Sequence, residues 1–139
     1  MLMLAMVMAA APIQIEPGKS IAKVSIGMTR AEVAKLHTLK SDGIDRAERT
    51  GFVSGPLYFL FDMQDVVVLV GVELQKTGGV RIGKVSVPAK ISAEEFVKRV
   101  PNCTLSDGSG GHAISCGEGL NAYDSWGGKY VQWIHLGPG

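Results

Sequence analysis

The chain is short of the features that usually betray a function. Cysteine is scarce: Cys103 and Cys116 are the only two in 139 residues. With only His112 between them they make a poor zinc site. Basic clusters are missing too. Lysine and arginine total 14 against 13 acids, scattered along the chain, so the phosphate-neutralising footprint of a nucleic-acid binder is absent. The apolar run Met1 to Ala11 is too short to span a bilayer. Gly18-Lys19-Ser20 looks like the tail of a phosphate-binding loop, but Ile13 stands where the first glycine is needed, and a strand pattern follows instead of a helix. The serines sit in no nucleophile-elbow context. His37, His112 and His135 have no carboxylate or cysteine constellation near them in sequence, so each reads as a surface histidine. The chain therefore reads as a non-enzyme that needs neither cofactor nor metal.

What is present is a phrase said twice. Ile21-Ala22-Lys23-Val24-Ser25-Ile26 returns as Ile82-Gly83-Lys84-Val85-Ser86-Val87. Alternation in the first copy puts Ile21, Lys23 and Ser25 on one face of a strand and Ala22, Val24 and Ile26 on the other. A helix start follows each copy. Thr29 with Glu32, and Ser92 with Glu95, have the spacing of capping boxes, in which hydroxyl and carboxylate each satisfy an orphan N–H. Met28 with Val33, and Ile91 with Phe96, are placed as hydrophobic staples. Downstream, Phe61-Asp62 aligns with Tyr123-Asp124, and Val72-Glu73-Leu74 with Ile134-His135-Leu136, all at an offset of about 62 residues. Tandem duplication explains these anchors; two unrelated strand–helix units sharing capping residues is the alternative.

Length and composition bound the rest. The chain has room for one domain, residues 12–139, built of two repeats at about 15–78 and 79–139. Residues 1–11, ending in Ala9-Ala10-Ala11, resemble the apolar core and cleavage site of a secretory signal, though a basic leader is missing; a buried first strand is the other reading. In an exported chain Cys103 and Cys116 read as a disulfide stapling a glycine-rich loop, with buried thiols or a metal pair as alternatives.

Each repeat is expected to run strand–helix–strand–strand–strand. The strands are Ile21 to Ile26, Gly51 to Ser54, Leu57 to Phe61 and Val66 to Leu74 in the first copy, and Arg81 to Val87, His112 to Cys116, Leu120 to Asp124 and Tyr130 to Leu136 in the second. Val66 to Val70 is apolar on both faces and reads as a central, covered strand. The fold class predicted is α+β: two tandem units with helices packed on antiparallel sheet.

At Ile26-Gly27-Met28-Thr29-Arg30-Ala31-Glu32-Val33 the chain resembles the β-lactamase inhibitor protein family, whose Gly-Met-Thr-x-x-x-Val phrase precedes antiparallel strands in tandem. It is similar also to the small lipoprotein of the outer-membrane β-barrel assembly machinery and to related bacterial immunity proteins. Asn102-Cys103, Cys116 and Tyr130-Val131-Gln132-Trp133 add to the likeness, which covers most of residues 20–136. The second copy departs from it, with Pro88-Ala89-Lys90-Ile91 where Gly-Met would stand, and no lipidation cysteine follows residues 1–11. The resemblance implies a periplasmic or secreted, non-enzymatic domain that binds another protein through a sheet face.

Candidate binding residues come from the last strand. If its even-numbered positions form the core, Trp133 and His135 lie on the outer sheet face, with Glu73 and Gly71 at the matching place in the first copy. Tyr123, Trp126 and Tyr58 are further candidates for an aromatic hot spot; a core position for Trp133 is the alternative. Asp62 and Asp124 each follow an aromatic and read as turn-bonding aspartates; general acid–base work, if the copies bring them together, is the alternative. The expected function is an inhibitor or immunity protein that occludes a partner, a toxin or hydrolase, without a stable membrane anchor. The alternative is a structural factor that docks onto envelope proteins.

Overall fold

The computed structural model describes residues 12–108, 111–124 and 128–137. Two tight turns set its plan. Within the first repeated phrase, Ala22 and Lys23 take φ of 50° and 71°, the left-handed pair that a two-residue hairpin turn needs. Ile21 and Val24 then face one another and exchange backbone hydrogen bonds at 3.0 and 2.9 Å. In the second phrase Gly83 takes the first central position, at φ +59°, and Ile82 pairs with Val85. The alternation expected for Ile21 to Ile26 is thus overturned, because the chain reverses at Ala22-Lys23: Ile21 and Val24 are both fully buried and Ile26 is exposed. Arg81 to Val87 is likewise a hairpin and not one strand.

The strands before the helices therefore come in pairs and leave for a sheet of their own. β1 (Ile13–Glu16), β2 (Ser20–Ile21), β7 (Val80–Ile82) and β8 (Val85–Val87) form a small sheet in the order β2-β1-β7-β8. β1 and β7 run parallel, with Ile13 opposite Val80 and Ile15 opposite Ile82; the other pairings are antiparallel. The large sheet holds β3 (Lys40–Ser41), β4 (Thr50–Ser54), β5 (Leu57–Phe61), β6 (Val67–Glu73), β9 (Thr104–Gly108), β10 (Gly111–Ser115), β11 (Leu120–Asp124) and β12 (Val131–Leu136). Its order is β3-β4-β5-β6-β12-β11-β10-β9, antiparallel throughout.

This architecture corrects the expected α+β class. Strand and bridge positions take 45% of the described residues and helix 14%, so the fold is mostly β. The helices α1 (Arg30–Leu36) and α2 (Ala93–Arg99) are two turns each, too short to form a layer. α1 buries only Val33; α2 buries Ala93 and Phe96. Nor does either half close as a strand–helix–strand–strand–strand unit, because its first strands pair with the other half in the small sheet.

Both helix starts follow the sequence logic, unequally. Thr29 Oγ1 accepts from Glu32 N at 3.2 Å and Thr29 N donates to Glu32 Oε1 at 3.1 Å, a complete capping box. Ser92 Oγ accepts from Glu95 N at 3.2 Å, but Glu95 reaches towards Lys98 at 4.0 Å and leaves the reciprocal bond unmade. The second box is half a box.

One buried cluster unites the sheets. Ile15, Ile21, Val80, Ile82 and Val87 of the small sheet share it with Phe59, Val70, Val72, Ile134, Leu120 and Ile114 of the large one. Among the described residues the fully buried set is apolar, the nearly buried Asp42 and Asp124 carboxylates are both hydrogen-bonded, and no buried side-chain nitrogen or oxygen lacks a partner. Cys103 and Cys116 are bonded and flank the Thr104–Ser115 pair, closing the β9–β10 hairpin at its base. The segment expected to be a stapled loop is largely a hairpin. The bond indicates an oxidising, non-cytoplasmic location. Among the described residues no helix is long and apolar enough to cross a membrane.

Candidate binding face

Alternation along the four central strands gives the large sheet two unlike faces. Leu57, Phe59 and Phe61 of β5, Val70 and Val72 of β6, Ile134 and Leu136 of β12, and Leu120 and Ala122 of β11 point into the core. Tyr58, Gly71, Glu73, Trp133, His135, Asn121 and Tyr123 occupy the opposite face. Register then lines them up. Tyr58, Gly71, His135 and Asn121 form one row across the sheet; Glu73, Trp133 and Tyr123 form the next. Trp133 and His135 thus lie on the outer face, half-buried. Val131, which simple alternation grouped with them, is fully buried, because a bulge opposite Tyr123/Asp124 shifts the register there. β6 is central as expected, but only one of its faces meets the core; Leu69 and Glu73 on the other are half-buried.

The rings touch in sequence across the rows. Tyr58 lies 6.3 Å from Trp133, Trp133 6.0 Å from His135, and His135 5.2 Å from Tyr123, centroid to centroid. Interplanar angles are 66°, 62° and 56°. Inclined rings of this kind make no flat platform for stacking a sugar or a base. They make a ridged apolar surface with polar tips. His135 lies over Gly71, where an added Cβ would sit 3.1 Å from its Cδ2, so the missing side chain makes room for the imidazole.

Charge is arranged at the margins. Arg46 Nη2 donates to Tyr58 Oη at 2.8 Å and to Asp42 Oδ2 at 2.8 Å. The Arg46 hydrogen bond holds the Asp42 carboxyl below its ordinary range. Burial raises the Tyr58 phenol. Burial lowers the His135 imidazole, which keeps it neutral at pH 7. Glu73 is tied to Lys76 at 3.0 Å. At neutral pH the centre of the face is therefore uncharged and aromatic, with paired charges at its rim. Asp42 and Arg46 were not singled out from sequence. Their i, i+4 spacing inside the polar segment after Lys40 was the available signal; their contact with Tyr58 is tertiary.

The remaining candidates fall elsewhere. Trp126 and the signal-like residues 1–11 lie outside the described residues. Asp62 bonds its own turn, accepting from Gln64 N at 2.9 Å and Val66 N at 3.0 Å. Asp124 gives both carboxylate oxygens to His112, accepting from its backbone N and meeting Nδ1, each at 2.6 Å. The two aspartates are not brought together, since β5 and β11 run in opposite directions and end at opposite margins of the sheet. His112 also faces Asp107 at 3.5 Å, a constellation hidden from sequence because its members come from three strands. His37 Nε2 bonds Ala22 O at 2.9 Å and packs on Phe59. Among the described residues no group of three or more histidines, cysteines or acids is placed to hold a metal.

Comparison of the chain with protein-family models, with curated proteins and with solved structures gave no match.

Proposed function

We propose that this protein is an exported binding module that inhibits or neutralises a partner protein, acting by occlusion through the outer face of the large sheet. The carrying observation is the contiguous row Tyr58–Trp133–His135–Tyr123, half-buried on that face, with Glu73 beside it. Large amphipathic rings held by a sheet bury much area at little entropic cost, and tryptophan and tyrosine carry a disproportionate share of interface energy. A neutral, desolvated His135 suits the same role, because it can donate or accept without the cost of burying a charge. The disulfide and the likeness of Ile26 to Val33 to the inhibitor family support a periplasmic or secreted setting and a toxin or hydrolase as partner.

The test is functional capture. The oxidised protein is immobilised and exposed to periplasmic and secreted fractions, and each captured hydrolase or toxin is assayed with and without it. The expected result is a partner whose activity falls on binding, and a Trp133→Ala variant that binds it about thirtyfold more weakly, equivalent to roughly 2 kcal/mol. Partners drawn only from envelope assembly proteins, with unchanged activity and no effect of the variant, would replace this reading with the docking-factor one.

A further inference from the structure

A second feature lies beside the small sheet. A cleft of about 760 Å³ opens between the connector after β6, the β7–β8 hairpin and the end of α2. Three cations line it, Lys76, Arg81 and Arg99, and no acid does. The β7 and β8 registers explain the arrangement. Val80, Ile82 and Val87 point into the core, so Arg81 and its cross-strand partner Ser86 point outward. Arg99, in the last turn of α2, donates from Nη1 to Ser86 O at 3.4 Å, which brings its guanidinium to the same cross-strand pair. Among the described residues Lys76 is paired with Glu73, whereas neither guanidinium has a carboxylate partner. The chain as a whole carries a formal charge of only +1, so this concentration of unmatched positive charge is local. Pro12, Pro56 and Pro88 give the cleft an apolar lining beside its charges.

We propose that this cleft binds an oxyanion, phosphate or carboxylate, carried on a small apolar group. Guanidinium presents paired donors in a fixed fork that matches either anion, and an entering anion relieves the repulsion between two unpaired arginines. The apolar lining buries the hydrocarbon part of the ligand. The cations of the cleft are too few for the footprint of a nucleic acid. This site adjoins the aromatic face through the Lys76–Glu73 pair but does not depend on the inhibitor reading.

The test is an NMR titration of the oxidised full chain at fixed ionic strength with phenyl phosphate, benzoate, inorganic phosphate and benzyl alcohol. Saturable shifts are expected at the amides of Lys76–Arg81 and of Ser86 and Val87 with phenyl phosphate or benzoate, at affinities about tenfold above inorganic phosphate. Arg81→Gln and Arg99→Gln should each weaken binding about tenfold or more, while Lys35→Gln, which removes an exposed cation on α1, should leave it unchanged. Both arginine sites have their guanidinium outside the core, and an unchanged amide spectrum elsewhere establishes that the variants fold. Non-saturating shifts, affinities in both arginine variants equal to that of the parent protein, or benzyl alcohol binding as well as benzoate would overturn the proposal. Saturable inorganic phosphate with no gain for phenyl phosphate would overturn its apolar part.

Discussion

His112 and His135 are pulled in opposite directions by their surroundings. The hydrogen bond that His112 donates to Asp124 raises its imidazole, with Asp107 and Glu94 adding attraction. Burial lowers that of His135. The consequences for stability have opposite signs. A histidine raised above its unfolded value, near 6.5, contributes stability that is fully present below that pH and is lost as pH rises through the folded value. His112→Gln should therefore cost stability in acid, and the cost should fade as pH rises through the folded value. A lowered histidine keeps its contribution above the unfolded value and loses it as pH falls through the folded one. His135→Gln should flatten the acid-side loss of the parent protein. Urea melts at a series of pH values read both effects; a His112→Gln cost that grows with pH would contradict the Asp124 pairing. Neither environment was legible in sequence. The carboxylates of His112 come from other strands, and the burial of His135 depends on Gly71 in the next strand.

Elements were readable where local chemistry suffices. Thr29-x-x-Glu32 specifies a helix start by itself, and the structure makes both of its bonds. Replacing either cap hydroxyl removes an N–H acceptor, at about 1 kcal/mol. Thr29→Ala should cost more than Ser92→Ala, because Ser92 lacks the reciprocal carboxylate bond; chemical denaturation of the two variants measures the difference. Period-two alternation offers Trp133 and His135 the outer face only if the even-numbered positions form the core, with a core Trp133 as the alternative; at the end of β12 Ile134 and Leu136 are the buried pair. Alternation failed at Ala22-Lys23, since neither residue advertises a left-handed turn as glycine or asparagine would. It failed again at Val131, since a bulge is set by the partner strand. β9 was missed because Thr104 to Gly108 reads as polar loop; pairing to β10 and the cystine make it a strand. Reduction of that cystine should lower stability by about 3 kcal/mol on the chain-entropy estimate, and denaturation with and without reductant checks it.

At the scale of the molecule, the large sheet is joined at its centre by β6 and β12, with Val72 opposite Ile134 and Gly71 opposite His135. That pairing links distant parts of the chain and carries both the core and the aromatic face. Ile134→Ala, at a fully buried position in this join, should cost about 2–5 kcal/mol in urea unfolding. Folding dominated by such non-local pairing belongs to the millisecond-to-second range, which stopped-flow refolding would show. The topology was the least legible level, since strand-to-strand partnership across the chain leaves no local mark. The small sheet adds a constraint of another kind. β1 begins at Ile13 and is the strand through which β2 reaches β7. Shortening the chain ahead of Ile13 would leave that bridge intact; shortening it past Glu16 would sever the bridge and remove Ile15, the partner of the buried Ile21. Sheet order thus sets how far the chain could be shortened from this side before the small sheet comes apart.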